Sequence, residues 1–268
     1  MMIIGRNFSY LMSRSSLTGG VYTYSKEAFG RDHAFISSWF LCLSYLTIVF
    51  LNGTALFFIV RTLFADTAHS GFHYMVAGNT IYLNETLLSV AVLAGIGILF
   101  ILAKPLLQRI HTVLAFVLFA AVALIAVFCL PGAVSNGSIA DFGFKGLNNG
   151  YAVFSLLILA PWAFVGFETT SFDTAHFKFP AKKTNRIIII SIATAAFAYI
   201  AMALMSTAAV PEGFSSWQDY MGSLDGITGI ESVPTIYVAK TVMGTPGLIA
   251  ITIGVVAAIL TGITGGYR

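Results

Sequence analysis

Apolar residues in this chain run together in long blocks and do not alternate with polar ones. Such blocks occupy residues 34–64, 81–103, 110–130, 151–167, 187–210 and 247–266. A helix needs about 20 apolar residues to cross the hydrocarbon core of a bilayer, so each block predicts a transmembrane helix. Residues 1–12 form a seventh apolar segment, too short to cross alone and interrupted by Arg6 and Asn7. The block at 34–64 exceeds the bilayer thickness, so it should tilt or project, with Arg61 snorkelling at one end. Pro131-Gly132, Asn136-Gly137 and Asn148-Asn149-Gly150 mark an irregular loop, and Pro211-Glu212-Gly213 opens another. Beyond it, residues 233–243 predict a short helix along the surface, ended by Gly244-Thr245-Pro246-Gly247.

Composition agrees with that pattern. The apolar fraction is 57%, the charged fraction 9%, and the mean hydropathy +0.87. A soluble domain carries about a quarter of its residues as charges, so the fold class is an all-α polytopic membrane protein with the lipid bilayer as its first partner. The net charge of +3 is small and dispersed, and no basic run is interleaved with aromatics, which excludes a nucleic-acid partner. Cys42 and Cys129 lie inside apolar blocks and read as small buried hydrophobes, not as a disulfide framework or a metal site. The first ten residues, with Arg6 and Asn7 among them, do not read as a signal peptide.

Charge fixes the orientation. On one side of the spans lie Arg14, Lys26, Arg31, Lys104, Arg109, Lys178, Lys182, Lys183, Arg186 and Arg268. On the other lie Asp66, Glu85, Asp141, Glu212, Asp219, Asp225 and Glu231, with only Lys145, Lys240 and Arg61 as cations. The positive-inside rule makes the first side cytoplasmic. The spans then alternate across the membrane without adjustment, so the two readings support each other.

Chemistry concentrates in Ala160-Pro161-Trp162-Ala163-Phe164-Val165-Gly166-Phe167-Glu168. Pro161 removes a backbone donor and Gly166 adds a second weak point five residues on. Inside lipid, freed backbone groups are tolerated only where protein or a watery cavity receives them. A helix broken near the midplane offers amides and carbonyls to a ligand; a simple proline kink explains the residues equally well. Glu168 adds a carboxylate within or at the edge of a span, where it faces a cavity or a partner. Burial favours the neutral form of a carboxyl, which makes Glu168 a candidate proton carrier; an interfacial glutamate is the plainer reading. Trp162 reads as a stacking surface or as packing. Ser44 and Tyr45 are adjacent polar groups in the middle of the first long span, a place where interhelical hydrogen bonding is the commoner role. Asn52, Gly53 and Thr54 in the same span point to close helix packing. The five histidines are scattered without metal-ligand spacing. No phosphate-binding Gly-x-x-x-x-Gly-Lys, His-Glu-x-x-His or Gly-x-Ser-x-Gly motif occurs. The chain therefore reads as neither an ATP-driven pump nor a membrane hydrolase, and no cofactor is called for.

Four stretches carry a likeness. Thr18-Gly19-Gly20-Val21-Tyr22-Thr23-Tyr24-Ser25-Lys26-Glu27-Ala28-Phe29-Gly30 resembles the segment that follows the second helix of the amino acid–polyamine–organocation permeases. Residues 162–168 resemble the sixth helix of that family. Residues 173–186, with Pro180 and its basic neighbours, resemble the loop after it, although the family's glutamate-rich stretch is here Asp173-Thr174-Ala175-His176-Phe177. Gly265-Gly266-Tyr267-Arg268 resembles the middle of the eighth helix. The four occur in the family's order and spacing.

This resemblance implies part of a five-plus-five inverted-repeat transporter fold, about seven spans running from the family's second to its eighth helix. Residues 1–268 are then one incomplete transmembrane domain, with 1–130 the remainder of the first repeat and 150–268 the start of the second. By position, Trp162, Ala163, Phe164 and Val165 would line a substrate pocket, with Trp162 as a gate. Gly166 would supply the unwound backbone, and Glu168 would sit where the family often places a carboxylate. Ser44 and Tyr45 fall near the substrate-facing stretch of the third helix, and Tyr267 falls where some members carry an aromatic gate. The family's glycine-broken first helix has no counterpart, because Met1 begins inside the second helix and Arg268 ends inside the eighth. The implied function is secondary transport of an amino acid, polyamine or related amine across the cell membrane, by alternating access with proton coupling or exchange. The alternative is an inactive truncated remnant of such a permease. A membrane enzyme or channel has no motif to support it.

Overall fold

The computed structural model describes residues 1–14, 18–64, 71–76, 79–135, 154, 155, 157, 158 and 163–267. The chain is helical, with α1 (Met2–Arg14), α2 (Gly20–Phe29), α3 (Arg31–Leu63), α4 (Leu83–Leu102), α5 (Lys104–Ser135), α6 (Thr184–Met205), α7 (Trp217–Gly222) and α8 (Pro234–Gly266). Among the described residues, five helical stretches are long and apolar enough to cross a membrane: Arg31–Leu63, Leu83–Leu102, Lys104–Ser135, Ala181–Met205 and Pro234–Gly266. Each overlaps one of the apolar blocks read above for most of its length. Most of the 151–167 block lies outside the described residues, and α1 is too short to span.

At 1.5 Å per residue, the 33 residues of α3 extend about 50 Å. That exceeds the roughly 30 Å hydrocarbon core, so α3 crosses only with tilt or projection. Phe35, Trp39, Phe40, Phe50 and Phe58 lie exposed along it. Large apolar side chains on an outer surface suit lipid, and in water they would form an adhesive patch.

By contact, the chain forms two compact units, Met1–Ser44 with Phe144–Ile200, and Tyr45–Gly143 with Ala201–Arg268. In the first, Met12, Tyr24, Ile188 and Ile192 make the core, with Phe8, Phe164, Phe167 and Phe177 packed against it. Gly5 lets α1 close on α6: a Cβ there would stand 2.6 Å from Cγ2 of Ile188. The Ser9 and Thr184 hydroxyls meet at 2.9 Å across the same contact.

The second unit is built around α8 and α5. Ile125, Cys129, Ala133, Ile236, Ile251, Ile259 and Ile263 form its buried centre. Small residues along α8 permit the approach of its neighbours. A Cβ on Gly254 would meet Ala121 at 2.8 Å, one on Gly262 the Asn52 side chain at 2.6 Å, and one on Gly266 the Val49 side chain at 2.4 Å. Between apolar helices in a bilayer, such close packing supplies the association that the hydrophobic effect supplies in water. His111 Nδ1 and Thr264 Oγ1, 2.8 Å apart, tie α5 to α8. The break expected at 244–247 is present: Gly244 has φ 68°, ψ −149°, a conformation outside the helix, and it divides α8 into a short leading piece and a long following one. A Cβ on Gly247 would lie 2.0 Å from the Ala239 carbonyl oxygen, so the turn leaves no room for a side chain.

Two features go beyond the sequence reading. Residues His73–Val76 (β1) and Asn79–Tyr82 (β2) pair as an antiparallel ribbon, with His73 opposite Tyr82 and Val76 opposite Asn79. And Arg61 does more than snorkel. Its Nε donates to Glu85 Oε1 at 3.0 Å and its Nη2 to Glu85 Oε2 at 2.7 Å. A third bond, from Nη2 to the Thr80 carbonyl at 3.0 Å, ties the end of α3 to the ribbon. Glu85 also accepts from the Tyr82 amide and so caps α4.

Candidate functional site

The stretch singled out for chemistry begins beyond the described residues, since Pro161 and Trp162 fall outside them; the description resumes at Ala163. From there the chain leaves the helix. Gly166 has φ 116°, ψ −22°, a left-handed conformation that glycine tolerates and side chains resist. Residues Phe167–His176 then form a 3₁₀ segment of ten residues. Runs of this helix longer than three or four residues are uncommon, and mark strain or a hinge. The local sequence explains this one. Thr169 Oγ1 donates to the Gly166 carbonyl at 2.6 Å, Ser171 Oγ to the Glu168 carbonyl at 2.6 Å, and Thr174 Oγ1 to the Ser171 carbonyl at 2.8 Å. Each hydroxyl reaches back three residues, the spacing of the 3₁₀ backbone bond itself. A ladder of Thr and Ser thus satisfies carbonyls that a continuing α-helix would have bonded differently.

Glu168 is 8% exposed. Its Oε2 accepts from the Gly166 amide at 2.9 Å. The carboxylate therefore clamps the glycine whose left-handed turn ends the helix. Break and acid form one local structure, two residues apart.

The neighbours are placed unequally. Ala163 is half-buried, and its carbonyl accepts from the Tyr199 hydroxyl of α6 at 2.7 Å. The Phe164 ring meets that of Tyr199 edge-on at 5.7 Å and also packs on the core of the first unit. Val165 is exposed. The Phe167 ring meets Phe8 of α1 edge-on at 5.8 Å. Opposite the ladder stands the glycine pair of the first family landmark. Gly19 and Gly20 both have positive φ, and a Cβ on Gly20 would come within 2.4 Å of the Phe172 ring and 2.6 Å of Ser171 Oγ. The start of α2 can lie against the 3₁₀ segment only because position 20 carries no side chain.

Ser44 is exposed at mid-α3, and Tyr45 after it is half-buried. Tyr45 belongs to the second unit, where its carbonyl oxygen would lie 3.8 Å from a Cβ built on Gly266. Tyr267 ends α8, its hydroxyl donating to the Leu93 carbonyl of α4 at 3.2 Å and its ring lying over Gly97. Sequence reasoning missed Tyr199, the hydroxyl ladder and the docking of Gly20. A lone phenol in an apolar helix and four hydroxyl residues in six, Thr169 to Thr174, were the available signals.

The sequence pattern of the amino acid permeases matches residues 1–221. The chain belongs to that family. The matched span takes in α1 through α6 and all but the last residue of α7, with the Gly19-Gly20 landmark and the whole of the broken stretch with Glu168. It stops short of α8, so the likeness of Gly265-Gly266-Tyr267 to an eighth helix stands on those residues themselves. No curated protein and no solved structure matches the chain. Membership, together with five membrane-length helices among the described residues, makes the permease an integral, multi-pass membrane protein and a transporter of amino acids or related substrates.

Proposed function

We propose that the permease carries an amino acid or related amine by alternating access, with the broken stretch at 163–168 as the substrate-contacting element and Glu168 as the proton-carrying group. The observation that supports this most is the coupling of Gly166 to Glu168. The ionised carboxylate accepts a strong, charge-assisted bond from the Gly166 amide. Protonation weakens that acceptor and loosens the turn that ends the helix. A proton arriving at Glu168 would so be felt by the backbone offered to the substrate, and substrate contact at that backbone would be felt by the acid.

Trp162, Ala163 and Val165 are the residues assigned to the pocket wall, Gly166 to the open backbone. Phe164 contributes from behind, through Tyr199 and the core. Ser44 and Tyr45 of the third helix and Tyr267 of the eighth keep, as proposals, the substrate-facing roles that the resemblance gives them. The two halves, 1–130 and 150–268, are read as parts of inverted repeats, and the cell membrane as the site of action. Uptake of a panel of labelled amino acids and amines into proteoliposomes tests the reading. Saturable uptake of at least one, with KM raised several-fold by Val165→Trp, is the expected result; uptake of none would contradict it.

A further inference from the structure

Within the first unit, the Gly166 turn is gripped on both sides by one pair of helices. Ahead of it, the Tyr199 hydroxyl of α6 donates to the Ala163 carbonyl at 2.7 Å, and the Tyr199 ring meets that of Phe164 edge-on at 5.7 Å. Beyond it, the Phe167 ring meets Phe8 of α1 at 5.8 Å. These two helices are locked to each other. A Cβ on Gly5 would stand 2.6 Å from Ile188, and the Ser9 and Thr184 hydroxyls lie 2.9 Å apart. Thr184 opens α6, and Tyr199 stands about 22 Å farther along the helix, deep within the span.

The turn needs such grips. Glycine has the widest conformational freedom of any residue, and among the described residues nothing lies within 4 Å of a Cβ placed on Gly166. Packing at the turn itself therefore does not choose its direction; the contacts on either side do. The Tyr199 hydroxyl is the polar one of the two. It stands in the apolar run Ala195-Ala196-Phe197-Ala198-Tyr199-Ile200-Ala201, and lipid tails offer a phenol no acceptor, so it bonds across to a neighbouring segment. The acceptor it takes is a main-chain carbonyl, so the bond fixes the path of the chain three residues ahead of Gly166.

We propose that Tyr199 is a positioning residue for transport: through its bond to the Ala163 carbonyl it holds residues 163–166 in the direction that meets the substrate, and so sets substrate affinity. This rests on the reading of 163–168 as the substrate-contacting element. The division of labour with Glu168 follows from chemistry. A carbonyl does not titrate, so the Tyr199 bond is the same whether or not a proton has arrived, whereas the bond from the Gly166 amide to Glu168 Oε2 is not. Tyr199 therefore acts on binding, and Glu168 on the response to a proton gradient.

Two measurements on the whole chain test the assignment, with Tyr199→Phe, which keeps the ring against Phe164 and removes only the hydroxyl. In nanodiscs, amide hydrogen exchange over 163–168 reads the turn directly. One hydrogen bond is worth about five- to ten-fold, so exchange there should quicken by that factor while α1 stays as in the wild type. In proteoliposomes, KM should rise by a like factor, with the maximal rate and the gradient response close to wild type. Tyr220→Phe is the control: it removes a hydroxyl-to-carbonyl bond of the same kind elsewhere, and should lower the melting midpoint without changing KM or exchange at 163–168. Should Tyr199→Phe not fold, Phe164→Leu, which removes the ring contact and keeps the hydroxyl, should quicken exchange and raise KM several-fold. Unchanged exchange at 163–168, or an equal change in Tyr220→Phe, would overturn the positioning role. Faster exchange with an unaltered KM would overturn its bearing on the substrate, and a lost gradient response would overturn the division from Glu168. If the wild type carries no member of the substrate panel, the transport reading fails, and the exchange result alone decides whether Tyr199 holds the turn.

Discussion

Gly166 holds a backbone conformation that costs any other residue free energy. Nothing lies within 4 Å of a Cβ placed there, so Gly166→Ala strains only the backbone, by about 1–2 kcal/mol or more. The expected outcome is a chain that inserts into the membrane with a slightly lowered melting temperature and transports at least ten-fold more slowly. Unchanged uptake rates would show that the turn is not part of the working site. Tyr220 offers a test of a different kind, in the connection between α6 and α8. It is fully buried, with its hydroxyl donating to the Glu231 carbonyl. Burial first, then the charges of Glu231 and Tyr237, push its phenol up to about 12. The folded chain thus holds this proton more tightly than the unfolded one, whose phenol titrates near about 10. The resulting stability is complete below about pH 10 and is lost as pH rises toward about 12. Tyr220→Phe should cost about 1 kcal/mol at neutral pH and flatten the alkaline fall, as read by melting curves from pH 8 to 12.

Between elements, the Arg61–Glu85 pair helps to join α3 to α4, as does the Ser89 hydroxyl donating to the Gly53 carbonyl at 2.8 Å. Glu85 is 1% exposed at its side chain and Arg61 31%. The fork-on-fork geometry and the buried carboxylate place this pair above a surface ion pair. Glu85→Gln should cost about 1–3 kcal/mol, and much less when Arg61 is already Gln, a coupling that a double-mutant cycle measures. Equal costs in both backgrounds would show that the two side chains do not act together. The sequence announced Arg61 as a cation at the end of a long span, and Glu85 as an acid on the same side. Their pairing was not legible, because 24 residues separate them and only the fold of the intervening ribbon sets their distance. The ribbon itself had a faint signature in His73-Tyr74-Met75-Val76 and Asn79-Thr80-Ile81-Tyr82, β-prone tetrads about a two-residue link, overshadowed by the apolar blocks on either side. The break at Gly244 was legible, since Gly-Thr-Pro-Gly interrupts an apolar pattern unmistakably. The 3₁₀ segment was not. Hydroxyl residues at 169, 171 and 174 favour caps, turns and loops as readily as a ladder, and only the geometry of Gly166 decides among them.

Across the whole molecule, membrane embedding follows from block-wise hydrophobicity and one-sided basic charge, because the bilayer imposes both on any polytopic chain. Helix length and order were therefore open to reading. Which helices share a core was not, since an apolar surface that faces lipid and one that faces protein have the same composition. Asn52-Gly53-Thr54 hinted at one seam, where a Cβ on Gly53 would stand 3.1 Å from Leu93, while Gly254, Gly262 and Gly266 gave no sign of theirs. The candidate site was legible as a stretch, through Pro161, Gly166 and Glu168, but its working parts depend on contacts with Tyr199 and Gly20 that no local pattern encodes. The central claim joins the break to the acid, and uptake under an imposed proton gradient tests it most directly. Proteoliposomes carrying the wild-type permease or Glu168→Gln are loaded at equal protein, and labelled substrate is followed with and without an inward-directed gradient. Wild type should accumulate substrate several-fold over the no-gradient control, and Glu168→Gln should show no gradient response while still exchanging substrate across the membrane. Undiminished proton-driven accumulation by Glu168→Gln would contradict the account.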